Sequence, residues 1–176
     1  MTITHRPEYQ LTVPRHLAIA ALLQESFPQY PTARTHFRQI PHLRILAHDD
    51  SGTLLGHIAI EHRMIHNAGQ VLRIFGLADV CIHPDYQNKG LGTKLLNFLE
   101  NLARETQIEA LLLIAPEPEF YLKNDFLAVE NDIKWLFLQG DQTLGVLNRK
   151  VGGLMVKMLG DKAWRSGQLD LLGHIF

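Results

Sequence analysis

The segment "LADVCIHPDYQNKGLGTKLLNFLENLA", residues 77–103, constrains the fold more than any other. It joins an apolar, strand-like run to a helix through a turn that holds Gly90 and Gly92. Leu91, Leu95, Phe98, Leu99 and Leu102 recur at helical spacing and predict one buried stripe. Residues 109–115, "EALLLIA", form a short continuous apolar run of the kind found in strands buried on both faces. A chain with this succession must pack helices on a sheet.

The remaining elements fall around that center. "EYQLTV" (8–13) reads as a first short strand, and Pro14 suits the first turn of a helix, where its missing N–H has no partner to lose. That helix runs through "RHLAIAALLQES" and stops before Pro28, and "PTARTHFRQI" (31–40) reads as a second, short helix. "LRILAH" is a strand and "DDSG" a turn. "TLLGHIAIEH" and "QVLRIFG" make a hairpin about Asn67–Gly69, with "LADVCIH" a further strand. "EPEFYLKNDF" reads as helix, and "IKWLFLQG" and "GGLMVKML" as late strands. The sum is a mixed α/β domain of the α+β type, and 176 residues are most simply one domain, 1–176.

Composition removes several functions. A net charge of −1 gives no sign of an overall basic nucleic-acid binder. No apolar run approaches a bilayer-spanning length, and "MTITHRPEYQ" lacks the apolar core of a signal peptide, so a cytoplasmic protein without membrane partners is expected. Cys81 is the only cysteine, which excludes an internal disulfide. Ten histidines invite a metal reading, but His57, His62 and His66 lie on strand-like sequence without zinc-like spacing. Solvated or hydrogen-bonded histidines, and no metal, are expected.

A helix begins with backbone N–H groups that lack intrahelical partners and carry partial positive charge. Gln87-Asn88-Lys89-Gly90-Leu91-Gly92-Thr93 therefore suits a phosphate: bare glycines admit close approach, Lys89 adds charge and Thr93 offers a hydroxyl. The alternative is that the glycines only relieve tight packing between strand and helix. The loop is not a Walker A motif, and Leu95 stands where a dinucleotide fingerprint needs its third glycine.

The loop resembles the pyrophosphate loop of the GNAT family of acyl-CoA-dependent N-acyltransferases, Arg/Gln-x-x-Gly-x-Gly/Ala, residue for residue across Gln87–Gly92. "LADVCIHPDY" is similar to that family's fourth strand and its approach to the loop, and "FYLKNDF" to its Phe-Tyr-x-Lys-x-Gly-Phe segment. The tail "LMVKMLGDKAWRSGQLDLLG" more loosely resembles those of the aminoglycoside 2′-N-acetyltransferases and the nodulation acyltransferase NodA. The resemblance implies a mixed, mostly antiparallel sheet with helices on both faces. It implies an acyl-CoA, most simply acetyl-CoA, as co-substrate and a small-molecule amine as acceptor, aminoglycoside-like or polyamine-like.

It also implies roles for residues. Amides of Gln87, Asn88, Lys89, Gly90, Leu91, Gly92 and Thr93 would receive the pyrophosphate, and backbone groups of Val80 and Ile82 the pantetheine and thioester. Tyr121 stands where the family commonly has its general acid, with Asp125 in place of the family's nearby glycine. The family's Glu-Asp pair on the fourth strand reads Ala78-Asp79 here, leaving Asp79 as the base or as a structural residue. Asp170 and the terminal carboxylate of Phe176 are alternative bases, and both, with Trp164 of the Trp-x-x-Gly segment, are candidate acceptor contacts. Glu117, Glu119, Asp125, Glu130 and Asp132 either attract a cationic amine or form a solvated rim. A CoA-binding module without turnover and a longer-chain acyltransferase resembling NodA remain as alternatives, and a homodimer is left open.

Overall fold

The structure, a computed structural model, describes residues 1–29, 31–140 and 142–176. Its contacts divide the chain into two compact units, Met1–Glu61 with Ala78–Asn101, and His62–Leu77 with Leu102–Phe176.

In the first unit β1 (Thr2–Pro7) pairs antiparallel with β2 (Leu43–His48), which pairs antiparallel with the first half of β3 (Leu54–Asn67). The first strand thus precedes the stretch expected, and Glu8–Gln10 is a 3₁₀ turn. Helix α1 (Val13–Ser26) starts with Pro14 in its first turn, as the missing N–H allows, and ends where Phe27 N–H donates to Leu23 C=O. Its Ile19, Leu22 and Leu23 join Leu46, Leu54 and Cys81 in one apolar cluster. Residues 31–40, expected as helix, are turns and bends. Arg34 Nε donates to His36 C=O, which occupies a backbone acceptor that a helix ladder would use, while Thr35 Oγ1 meets the His36 ring at Nδ1.

The strand expected at 77–83 is the continuation of β4 (Gln70–Ile82), joined to β3 by the two left-handed residues Ala68 (φ 43°) and Gly69 (φ 87°). Helix α2 (Leu91–Glu105) buries Leu91, Leu95 and Leu99 as expected, with Leu96 and Ala103, whereas Phe98 and Leu102 are only half-buried. Fully burying one such leucine stabilizes by about 1.5–3 kcal/mol. Gly56 on β3 sets how closely α2 approaches, since a Cβ there would meet Ile82 Cδ1 and Leu95 Cδ1, each at 2.8 Å.

In the second unit the strand order is β6 (Leu127–Ala128), β9 (Leu154–Met158), β5 (Ala110–Ile114), β4, β3, β10 (Gly167–His174), β7 (Asn131–Gln139), β8 (Gln142–Lys150). Among the described residues β4–β5 and β10–β7 pair parallel and β10–β3, β5–β9, β6–β9 and β7–β8 antiparallel, so the sheet is mixed and mostly antiparallel as expected. β5 is buried on both faces, whereas only α3 (Glu119–Leu122) of the expected 117–126 helix is helical.

Candidate active site

The turn at the head of α2 follows a second 3₁₀ turn, Pro84–Tyr86, and residues 84–90 are all exposed. Asn88 (φ 57°) and Gly90 (φ 77°) are left-handed, and a Cβ built on Gly90 would meet no atom within 4 Å among the described residues beyond its chain neighbors. Gly90 is therefore there for its backbone angle and not to relieve packing. Gly90 C=O accepts from Lys94 N–H, so Gly90 caps the helix and the amides of Leu91, Gly92 and Thr93 are its first three. Lys89 turns away from that end: its Nζ donates to Asp85 C=O (2.7 Å) and lies over the Tyr86 ring. Gln87 Nε2 donates to Ile82 C=O (3.1 Å), tying the loop to the end of β4.

β4 leads to this loop irregularly. Its ladder with β5 runs from Ile74↔Ala110 to Leu77↔Leu113, and Ala78–Ile82 continue past it. Asp79 has φ 48° in mid-strand. Asn67 and Gln70 flank the hairpin turn, yet His83 N–H donates to Leu55 C=O, one residue out of the register that turn sets. The extra residue is a bulge, which bends a strand and re-aims its side chains.

The Asp79 side chain is only 4% exposed, and Oδ1 accepts from Arg34 Nη2 at 3.2 Å while buried Oδ2 has no hydrogen-bond partner among the described residues. Burial pushes its carboxyl above the usual range, against the pull of Arg34, Arg44 and His36. Leu23, Gln24, Phe27, Pro31 and Arg34 line a narrow cleft with Asp79.

In the second unit, Tyr121 on α3 packs edge-on against Phe120 and Phe126, with ring centroids 5.1 and 5.6 Å away. Asp125 is left-handed (φ 64°), which is the conformation expected where the family pattern has glycine. Trp164 Nε1 donates to Asn131 Oδ1 (2.9 Å), and the buried Asn131 and Asn67 amides hold Arg165 C=O, so Trp164 belongs to a clamp ahead of β10. Burial works to raise the Asp170 carboxyl, but the Lys134 Nζ bond (2.9 Å) and Leu172 N–H outweigh it and hold it low. The Phe176 ring is buried beside Gly76, with the Arg63 guanidinium 4.6 Å from its centroid. The acidic residues Glu117, Glu119, Asp125, Glu130 and Asp132 are all exposed; Asp125 and Glu130 each sit 3.6 Å from a lysine, Lys157 and Lys150.

Residues 13–126 match the model of the acetyltransferase (GNAT) family, which covers more than half of the chain. The chain belongs to the GNAT family. Its enzyme class is that of the family, N-acetyltransferase. Comparison with curated protein sequences gives no match. Among solved structures, the GNAT family N-acetyltransferase YhbS of Escherichia coli, in complex with CoA, superposes with a TM-score of 0.62 at 18% identity, covering 96% of this chain and 88% of that one. A GNAT acetyltransferase from Brucella melitensis in complex with acetyl-CoA gives 0.60 at 17%, covering 96% and 94%. An aminoglycoside 6′-N-acetyltransferase complexed with coenzyme A gives 0.60 at 15%, covering 93% and 99%. At these identities the likeness is one of fold. No helix among the described residues is long and apolar enough to cross a membrane.

Two features of this GNAT chain were not read from its sequence. Arg34 is held between Asp79 and His36 C=O, which its Nε contacts, and lies over the Phe37 ring. His57, fully buried on β3, is hydrogen-bonded at both ring nitrogens. The signal for His57 was a single polar residue inside the buried run "LLGHIAI", but its partners lie 13 and 22 residues away.

Proposed function

We propose that this GNAT chain transfers the acetyl group of acetyl-CoA to the amine of a small molecule. The observation that carries the reading is the head of α2, exposed, left-handed at Asn88 and Gly90, and clear of side chains at the Gly90 Cβ position. An unobstructed row of helix-start amides suits a pyrophosphate. In this reading the amides of Gln87–Thr93 receive the phosphates, and the backbone of Val80 and Ile82, beyond the β4–β5 ladder, faces pantetheine and thioester. A positioned backbone donor at a developing oxyanion is worth roughly a hundred- to a thousandfold in rate.

The amine nitrogen attacks the thioester carbonyl, its C–N bond forming as the C–S bond breaks. Tyr121 delivers a proton to the departing thiolate. Asp79, whose raised carboxyl affinity for protons brings it nearer to neutrality than an ordinary aspartate, takes the proton from the amine. The solvated, partly lysine-paired acidic residues serve as rim and not as an amine pocket. Asp170, held low by Lys134, is the weaker candidate base.

Free-thiol release from acetyl-CoA across a panel of amines tests the reading directly. Release that depends on a small amine supports it. Thermal stabilization by CoA without release from any amine would favor a binding module, and release only from longer acyl donors a NodA-like acyltransferase.

A further inference from the structure

The first unit holds a buried chain of polar groups that the roles above do not use. Arg44, on β2, has no exposed surface in an otherwise apolar strand. Its Nε and Nη2 donate to Glu8 Oε2 and Oε1 at 2.5 and 3.0 Å, a bidentate pair that balances the buried charge. Its Nη1 lies 2.9 Å from His57 Nε2, and His57 Nδ1 lies 2.9 Å from Asp79 C=O.

The proton positions follow from the donor inventory. A guanidinium only donates, so His57 Nε2 accepts. A neutral imidazole then carries its hydrogen on Nδ1, which donates to the Asp79 carbonyl. Burial first, and the Arg44 charge second, push the His57 imidazole down to about 3, so the ring stays neutral and the tautomer is fixed.

That carbonyl belongs to the left-handed residue of the β4 bulge, where ladder pairing is locally disrupted. A buried carbonyl left unpaired costs about 1–3 kcal/mol, and a left-handed non-glycine residue about 1–2 kcal/mol more. His57 supplies the missing partner. Four residues on, Leu55 C=O accepts from His83 N–H at 2.8 Å. Val80–Ile82 are thus anchored from β3 at both ends.

We propose that His57, oriented by the Arg44–Glu8 pair, is a positioning residue for acyl transfer: it fixes the Asp79 carbonyl and so the aim of the Val80–Ile82 backbone at the thioester. The catalytic half of this rests on the acyl-transfer reading above; the hydrogen-bond half does not. A backbone donor misplaced by about an ångström can cost a hundredfold in rate while leaving the distant phosphate contacts intact.

Two variants separate the bonds. His57→Asn places an amide nitrogen near the Nδ1 position and keeps donation to Asp79. His57→Gln places its amide near Nε2, keeping an acceptor for Arg44 but leaving Asp79 C=O without a donor. Both should lower the melting temperature. His57→Gln should also lose about tenfold or more in kcat, with KM for acetyl-CoA unchanged within about twofold, and His57→Asn should recover most of that kcat. Equal kcat in the two variants overturns the proposal.

Nitrogen-15 NMR of the wild-type protein gives a readout independent of turnover. His57 should appear at neutral pH as the Nδ1–H tautomer with an unprotonated Nε2, and an Nε2–H or doubly protonated ring overturns the proposal. If the wild-type enzyme releases no thiol with any amine, acyl transfer and the catalytic half fall together. The anchored carbonyl is then decided by amide exchange at Val80–Ile82, which must quicken in His57→Gln relative to His57→Asn for it to stand.

Discussion

Asp79 carries opposing demands on one side chain. Its Oδ1 is paired with Arg34, its Oδ2 is buried without a hydrogen-bond partner among the described residues, and burial prevails in raising its affinity for protons. A carboxyl raised in the folded state makes the native protein bind more protons than the unfolded chain between the two pKa values. That contribution is fully present below the unfolded pKa and is lost as pH rises through the folded one. Asp79→Asn has no such slope, so its melting temperature relative to wild type should climb as pH is raised across that window; a difference flat with pH would show that the carboxyl is not perturbed. Tyr121, half-buried between Phe120 and Phe126, poses a different question, since its ring packs whatever its hydroxyl does. Tyr121→Phe keeps the ring and should lower kcat by about a hundredfold, at the low end of general-acid effects, with CoA affinity unchanged. Unchanged turnover would leave Tyr121 a packing residue only.

At the scale of elements, the head of α2 separates two effects of one glycine. Gly90→Ala meets no atom within 4 Å, so it should cost only the left-handed backbone strain, about 1–2 kcal/mol by thermal melting. Gly90→Asp adds a carboxylate where the phosphates are proposed to sit and should abolish CoA binding by calorimetry; equal affinities in the two variants would remove the phosphate role. This element was legible in the sequence because everything that defines it is contiguous: the left-handed turn, the cap and the leucine stripe lie within residues 86–103. β2 was legible for the same reason. Residues 31–40 misled because Arg34 spends its side chain on the His36 carbonyl and on Asp79, the latter 45 residues away, which a helical reading of the pattern cannot register. β8 was missed because eight of its nine residues are exposed, so no apolar alternation marks it. Of the site, the loop could be read, but Arg34–Asp79 and Glu8–Arg44 join residues 45 and 36 apart, pairings that sequence spacing does not reveal.

For the whole molecule, a net charge of −1 gives no global field to draw in a polyanionic coenzyme. Affinity for CoA must then come from local groups, and Lys89 is engaged with Asp85 C=O and the Tyr86 ring, which leaves backbone amides as the chief ligands in the proposed site. Amides neutralize no counterions as a lysine cluster would, and contacts at such short range are poorly screened by salt. CoA at one hundred times its dissociation constant stabilizes the fold by about 2.7 kcal/mol. For a chain of this size that corresponds to roughly 5–10 °C in Tm. The rise should persist with little loss from low to high ionic strength in a melting titration, and should be absent in Gly90→Asp. A rise that vanishes with added salt would mean that exposed side-chain charge, and not the amides at the head of α2, holds the coenzyme.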